Sequence, residues 1–78
     1  MNIEIETGLI LNNPTMVINN ISYPQTENKV IVECHFTEEG GTFVHSRNYT
    51  FDNSEGVDLN YSDVIILMQS NEILNSLL

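Results

Sequence analysis

Two extended runs on either side of Glu38-Glu39-Gly40-Gly41 constrain this chain more than any other feature. The first, Val30-Ile31-Val32-Glu33-Cys34-His35-Phe36-Thr37, is dense in β-branched and aromatic residues; the second runs from Thr42 to Phe51. Such side chains pack well on a pleated surface, so both runs predict strands. Side chains alternate between the faces of a strand. Val30, Val32, Cys34 and Phe36 therefore share one face of the first strand, and Phe43, His45, Arg47, Tyr49 and Phe51 share one face of the second. Glycine accepts positive φ, which suits Gly40 and Gly41 to the turn. Two registers keep the apolar faces together. A two-residue Gly40-Gly41 turn sets Phe36 opposite His45, Val32 opposite Tyr49 and Val30 opposite Phe51. A four-residue Glu38–Gly41 loop sets Phe36 opposite Phe43, Cys34 opposite His45 and Val30 opposite Tyr49. A slip by one residue would mix apolar with polar positions, so the hairpin is specified while its register stays open.

The flanking segments extend this pattern. Ile3 and Ile5 alternate with polar residues, Gly8 interrupts, and Leu9-Ile10-Leu11 follows: one bent strand, or a tight hairpin around Thr7-Gly8. Asn12-Asn13-Pro14 is a turn signal, because asparagine tolerates unusual backbone angles and proline fixes its own. Met16 to Tyr23 is the next extended segment, with Val17, Ile21 and Tyr23 on one alternating set, closed by Pro24. Polar loops are expected at 25–28 and 52–56. After residue 56 the period changes. Asp58 or Asn60 is a candidate helix cap, and Asp63 falls in the first turn, where a negative charge suits the helix dipole. Tyr61, Val64, Ile65 and Met68 form one helical stripe, and Ile73, Leu74, Leu77 and Leu78 supply a second apolar set. Gln69-Ser70-Asn71 is a polar turn of one helix or a break between two. The architecture expected is a single α+β domain over 1–78: an antiparallel β-meander of four to five strands over 1–56, then a C-terminal helical segment over 57–78.

A chain of 78 residues buries only about 60% of its unfolded surface, so its stability is marginal without help. Cys34 is the sole cysteine, which excludes an internal disulfide and fits a reducing compartment. That leaves good packing or association with other chains. Five consecutive apolar residues, Val64 to Met68, go right round a helix, so the helix is covered on more than one side or part of it faces another subunit.

The net charge of −9 arises from eleven acids against Lys29 and Arg47. Such a surface repels phosphates and anionic headgroups, so neither direct nucleic-acid binding nor membrane binding is expected. It keeps a small protein soluble and would attract a basic partner. The first residues are acidic and carry no basic and apolar regions of a signal peptide, so the expected location is the cytoplasm or a virion. Asn20-Ile21-Ser22 and Asn48-Tyr49-Thr50 match the glycosylation sequon, here as chance matches in an asparagine-rich chain.

No catalytic or cofactor motif is legible. Zinc sites need three or four converging ligands. Cys34 and His35 are adjacent and point to opposite faces; Cys34 with His45 makes only two, and the small buried hydrophobe is the simpler role for this thiol. The same pair as a nucleophile dyad lacks an orienting third group and a pocket. Glu38-Glu39 at a hairpin tip reads as solvated acids. Arg47 lies on the apolar side by parity, which suits a sheet margin with its stem packed and its head in water, or else a specific interface. No metal, cofactor or catalytic residue is assigned.

Phe43-Val44-His45-Ser46-Arg47 behind a strand and glycine turn, then Val57-Asp58-Leu59-Asn60-Tyr61 leading into an apolar helix, is similar to small proteins encoded in bacteriophage genomes. The resemblance covers about half the chain and carries no functional residue across. It implies a virion or assembly component, or a small host-directed inhibitor. The expectation is a non-enzymatic structural or protein-interaction protein that forms homo-oligomers, with an interface at Val64, Ile65, Met68, Ile73, Leu77 and Leu78 and the free edge of the meander as a second candidate. The alternative is an acidic inhibitor that occupies the basic groove of a nucleic-acid-processing enzyme.

Overall fold

A computed structural model describes residues 1–24, 28–53 and 59–78. Five strands precede two helices: β1 (Asn2–Glu6), β2 (Leu9–Asn12), β3 (Thr15–Ser22), β4 (Lys29–Thr37), β5 (Val44–Asp52), α1 (Tyr61–Met68) and α2 (Glu72–Leu77). This is a small α+β fold, but the meander is divided: β1 and β2 form a separate hairpin, and β3-β4-β5 form a three-stranded antiparallel sheet with β4 in the centre.

The first hairpin turns at Thr7-Gly8, with Gly8 at φ 87°. Nothing lies within 4 Å of where a Cβ on Gly8 would sit, so the backbone angle, not crowding, is what requires glycine there. A bulge at Ile5 lets Ile3, Ile5, Leu9 and Leu11 all turn toward the core. Asn13 takes φ 44° in the next turn, as its short polar side chain allows.

The β4–β5 hairpin adopts the Gly40-Gly41 register: Phe36 faces His45, Val32 faces Tyr49 and Val30 faces Phe51. Pairing ends at Thr37 and Val44, and the Gly41 N–H closes a turn on the Glu38 carbonyl at 2.9 Å with Gly40 at φ 74°. In β3 the expected set of Val17 with Ile21 fails. Asn19 is an extra residue between the pairs Ile18–Cys34 and Asn20–Glu33. This bulge shifts the alternation by one, so Met16 and Ile18 turn inward before it and Ile21 after it, while Val17 is left in water.

The C-terminal segment is two helices, not one. Asn60 caps α1 in a reciprocal box with Asp63: its Oδ1 accepts the Asp63 N–H at 2.9 Å, and an Asp63 oxygen accepts its own N–H at 3.3 Å. The alternative cap, Asp58, lies outside the described residues, as do most of the two polar loops. Asn71 opens α2 by accepting the N–H groups of Ile73 and Leu74.

One apolar cluster unites these parts. Val30, Val32, Cys34 and Phe36 of β4 are fully buried together with Val64, Met68 and Leu74 from the helices, and Ile5 and Leu11 join from the hairpin. Hairpin and helices thus cover the same face of the three-stranded sheet. Each such buried side chain contributes roughly 1.5–3 kcal/mol, and Phe36 adds an edge-to-face contact with Tyr49, ring centroids 6.3 Å apart.

Candidate interaction surface

Two of the six side chains expected at an interface belong to the interior. Val64 and Met68 have no exposed surface, because they stand one helical turn apart on the stripe of α1 that enters the apolar cluster. They are not available to a second chain. Ile65, Ile73 and Leu77 are half-buried against the core, and Leu78 is exposed. Sequence reasoning passes over two of the most exposed apolar groups. Ile66 (63% exposed) and Tyr61 (62%) stand on the outside of α1. The run Val64–Met68 leaves open whether Ile66 is covered or faces outward, and Tyr61, on the stripe with Val64 and Met68 by spacing, is not buried with them.

Away from its covering layers the three-stranded sheet has a bare face. Across it run rows of directly opposed residues: Ser22–Ile31–Thr50, Asn20–Glu33–Asn48, Val17–His35–Ser46 and Thr15–Thr37–Val44. Both sequon asparagines therefore lie on this face, either side of Glu33. One Glu33 oxygen lies 2.7 Å from His35 Nε2 and accepts from Ser46 Oγ at 3.2 Å. The bond to His35, against partial desolvation and with help from Asn19 and Ser46, holds the Glu33 carboxyl below the usual range. Serine and histidine both bind the acid and not each other, so the trio fastens neighbouring strands and does not form a proton relay.

On the core side, Cys34 faces Arg47 and not His45. His45 instead sits opposite Phe36, with its ring 4.7 Å from that of exposed Phe43. Burial pushes the Cys34 thiol up to about 11, far from the thiolate that a nucleophile or ligand needs. Arg47 sends its guanidinium to Glu6, Nη2 to Oε1 at 2.7 Å, tying β5 to β1. That bond lowers the Glu6 carboxyl below its ordinary value and raises Arg47 above its own.

Glu38 and Glu39 are engaged within the chain. Glu38 Oε1 accepts the Asn12 N–H at 2.8 Å, Glu39 Oε2 accepts from Asn13 Nδ2 at 2.6 Å, and the Glu39 N–H donates to the Asn12 carbonyl at 3.0 Å. Asn13 also binds the amino terminus of Met1. The tip of one hairpin is in this way clamped to the turn after the other.

Edges complete the surface. Among the described residues β5 pairs only with β4, and β3 only with β4. The two edges differ: β3 carries the Asn19 bulge, whereas β5 keeps unbroken register through all nine residues. Among the described residues no helix is long and apolar enough to cross a membrane.

Comparison with protein-family models, with curated proteins and with solved structures finds no match.

Proposed function

We propose that this chain is a non-enzymatic structural or interaction protein that associates with further copies of itself. The observation that carries this reading is the large apolar surface left in water by so small a fold: Tyr61 and Ile66 on α1, Leu78 after α2, and Val17, Phe43 and Val44 on the sheet and its loop. Association between copies would bury apolar side chains that a single chain leaves in water. The shape agrees. The radius of gyration is 13.3 Å against about 11.5 Å for a compact domain of this length. Such an elongated body gains burial by association. The resemblance to small phage-encoded proteins makes a virion or accessory component the natural setting.

The reading as an acidic groove-blocking inhibitor is weaker. Glu6, Glu33, Glu38, Glu39, Asp52 and Asp63 each hold a partner inside the fold, and they come from β1, β4, β5, the hairpin loop and α1. Carboxylates occupied in this way are poorly placed to imitate a row of phosphates.

Molar mass by light scattering behind size exclusion, over a range of concentration and salt, tests the proposal. A defined oligomer is the expected result. A monomer at every concentration overturns it and makes a basic partner the better lead.

A further inference from the structure

Resting on the self-association reading, we infer that the contact between copies is the β5 edge: β5 pairs antiparallel with β5 of a second copy about a two-fold axis at Asn48, merging two three-stranded sheets into one of six.

The first argument is which backbone groups β5 turns outward. Asn53 N–H donates to the Asn28 carbonyl at 2.7 Å, one step beyond the pair Lys29–Asp52 and in the same register. Antiparallel ladders alternate hydrogen-bonded and non-bonded pairs. Phe51, Tyr49, Arg47 and His45 therefore spend their N–H and C=O groups on β4. Val44, Ser46, Asn48, Thr50 and Asp52 point theirs away from the sheet.

The second argument is that the other edges are interrupted in their backbone and this one is not: its Ser46 carbonyl accepts from Arg47 Nη1 at 2.7 Å and keeps a second lone pair for the N–H of a partner strand. β3 is bulged at Asn19, and β1 and β2 are short and bulged at Ile5. Bulges and short strands are the devices that discourage pairing. β5 is nine residues long, regular, and free of proline.

The third argument is that the strand complements itself when reversed. A two-fold perpendicular to the sheet keeps the covering layers of both copies on one side, and this requires opposed residues of equal parity. Centring on Asn48 is the register that aligns all nine residues, Val44 with Asp52 through to Asp52 with Val44. It sets Asn48 against the partner's Asn48 and Ser46 against the partner's Thr50, as hydrogen-bonded pairs on the bare face. It sets Arg47 against the partner's Tyr49 and His45 against the partner's Phe51, in the closer non-bonded positions on the core side, where a cation meets an aromatic ring. Shifting the axis to residue 47 would oppose two arginines and lose pairs at both ends. Shifting it to 49 also shortens the ladder.

Position 48 is self-opposed only in this arrangement, which supplies the test. Asn48 is exposed, so Asn48→Lys and Asn48→Asp leave the core alone. Light scattering on the wild type is expected to give twice the 8.9 kDa of one chain. Each variant alone is expected to raise the dissociation constant about tenfold or more, and an equimolar mixture to restore the dimer, because a lysine of one copy then faces an aspartate of the other across the axis. The lysine variant also lowers the overall charge from −9 to −8, so weaker association in it reports the local contact and not the net repulsion. Hydrogen exchange on the wild type gives an independent reading: the Ser46, Asn48 and Thr50 amides should gain protection as concentration rises. A monomeric wild type ends the self-association reading and this inference together. An oligomeric wild type whose mass survives both substitutions, whose variants fail to pair when mixed, or whose three amides exchange freely overturns the β5 contact and leaves self-association standing.

Discussion

Arg47 and Glu6 join the two sheets: the guanidinium leaves an edge strand and meets a carboxylate of the separate hairpin at 2.7 Å. Both groups are partly in water, so the pair fixes position more than it adds stability. Arg47 lies on the apolar face of its strand, as alternation requires, and its charge is met at the margin of the core.

Acid should loosen this joint. The Glu6 and Glu33 carboxyls both sit below the ordinary 4.5 in the folded chain. A depressed folded value gives stability that is present above the unfolded value and lost as pH falls through the folded one. Urea midpoints measured from about pH 7 to about pH 2 should fall below pH 4.5, and Glu6→Gln should lie below wild type at neutral pH and converge with it in acid. A constant gap across the range would remove the pair as the cause.

Alkali should act through the core. The Cys34 thiol has no exposed surface and is raised from 9.0 to about 11. Its protonated form is native, so stability is complete below pH 9.0 and is lost as pH rises toward 11, by about 2–3 kcal/mol. Tyr49, raised chiefly by burial, acts in the same direction above 10.0. In Cys34→Ala the alkaline loss should shrink without vanishing, at about 1–2 kcal/mol of packing. Maleimide labelling of the native protein should be no faster than its opening rate.

Phe36 is the largest side chain with no exposure, and its ring meets that of Tyr49 on β5 edge to face. Phe36→Ala should cost about 3–5 kcal/mol, a large part of what so short a chain possesses. Far-UV circular dichroism should find it largely unfolded at room temperature, whereas Phe36→Leu should fold with a lowered melting point.

Asn71 receives two N–H groups at the start of α2. Asn71→Ala should destabilise by about 1 kcal/mol. Because only α2 is capped there, amides of 73–77 should exchange faster while those of β4 change by no more than the global loss. Uniform change would mean that the helix is not an independent unit.

Local chemistry explains which parts of this fold are legible in the sequence. The strands of the main hairpin, their shared apolar face, Asn60 as one of two candidate caps and Asp63 in the first turn of the helix follow from alternation and side-chain type. The register narrows to two, because both bury the same face; only the geometry of the Glu38–Gly41 turn decides. The Asn19 bulge leaves no local mark, since Met16-Val17-Ile18 offers apolar groups in either phase. The helix break at Asn71 is visible as an alternative, and it prevails because asparagine caps better than it propagates. Val64 and Met68 look like interface residues because apolar content alone does not distinguish a core stripe from an outer one. Glu38 and Glu39 look solvated because their asparagine partners stand 26 residues away in sequence.

That same separation bears on how the chain reaches its native state. Each hairpin is made of neighbours and closes a short loop, whereas the Asn12–Glu38 and Asn13–Glu39 bonds must close a long one. The clamp is therefore expected to form late in folding, as two locally formed ribbons dock, with the docking as the slow step. Loss of the Glu38 carboxylate should retard refolding while leaving the amides of β4 and β5 among the first to be protected in pulse-labelled exchange.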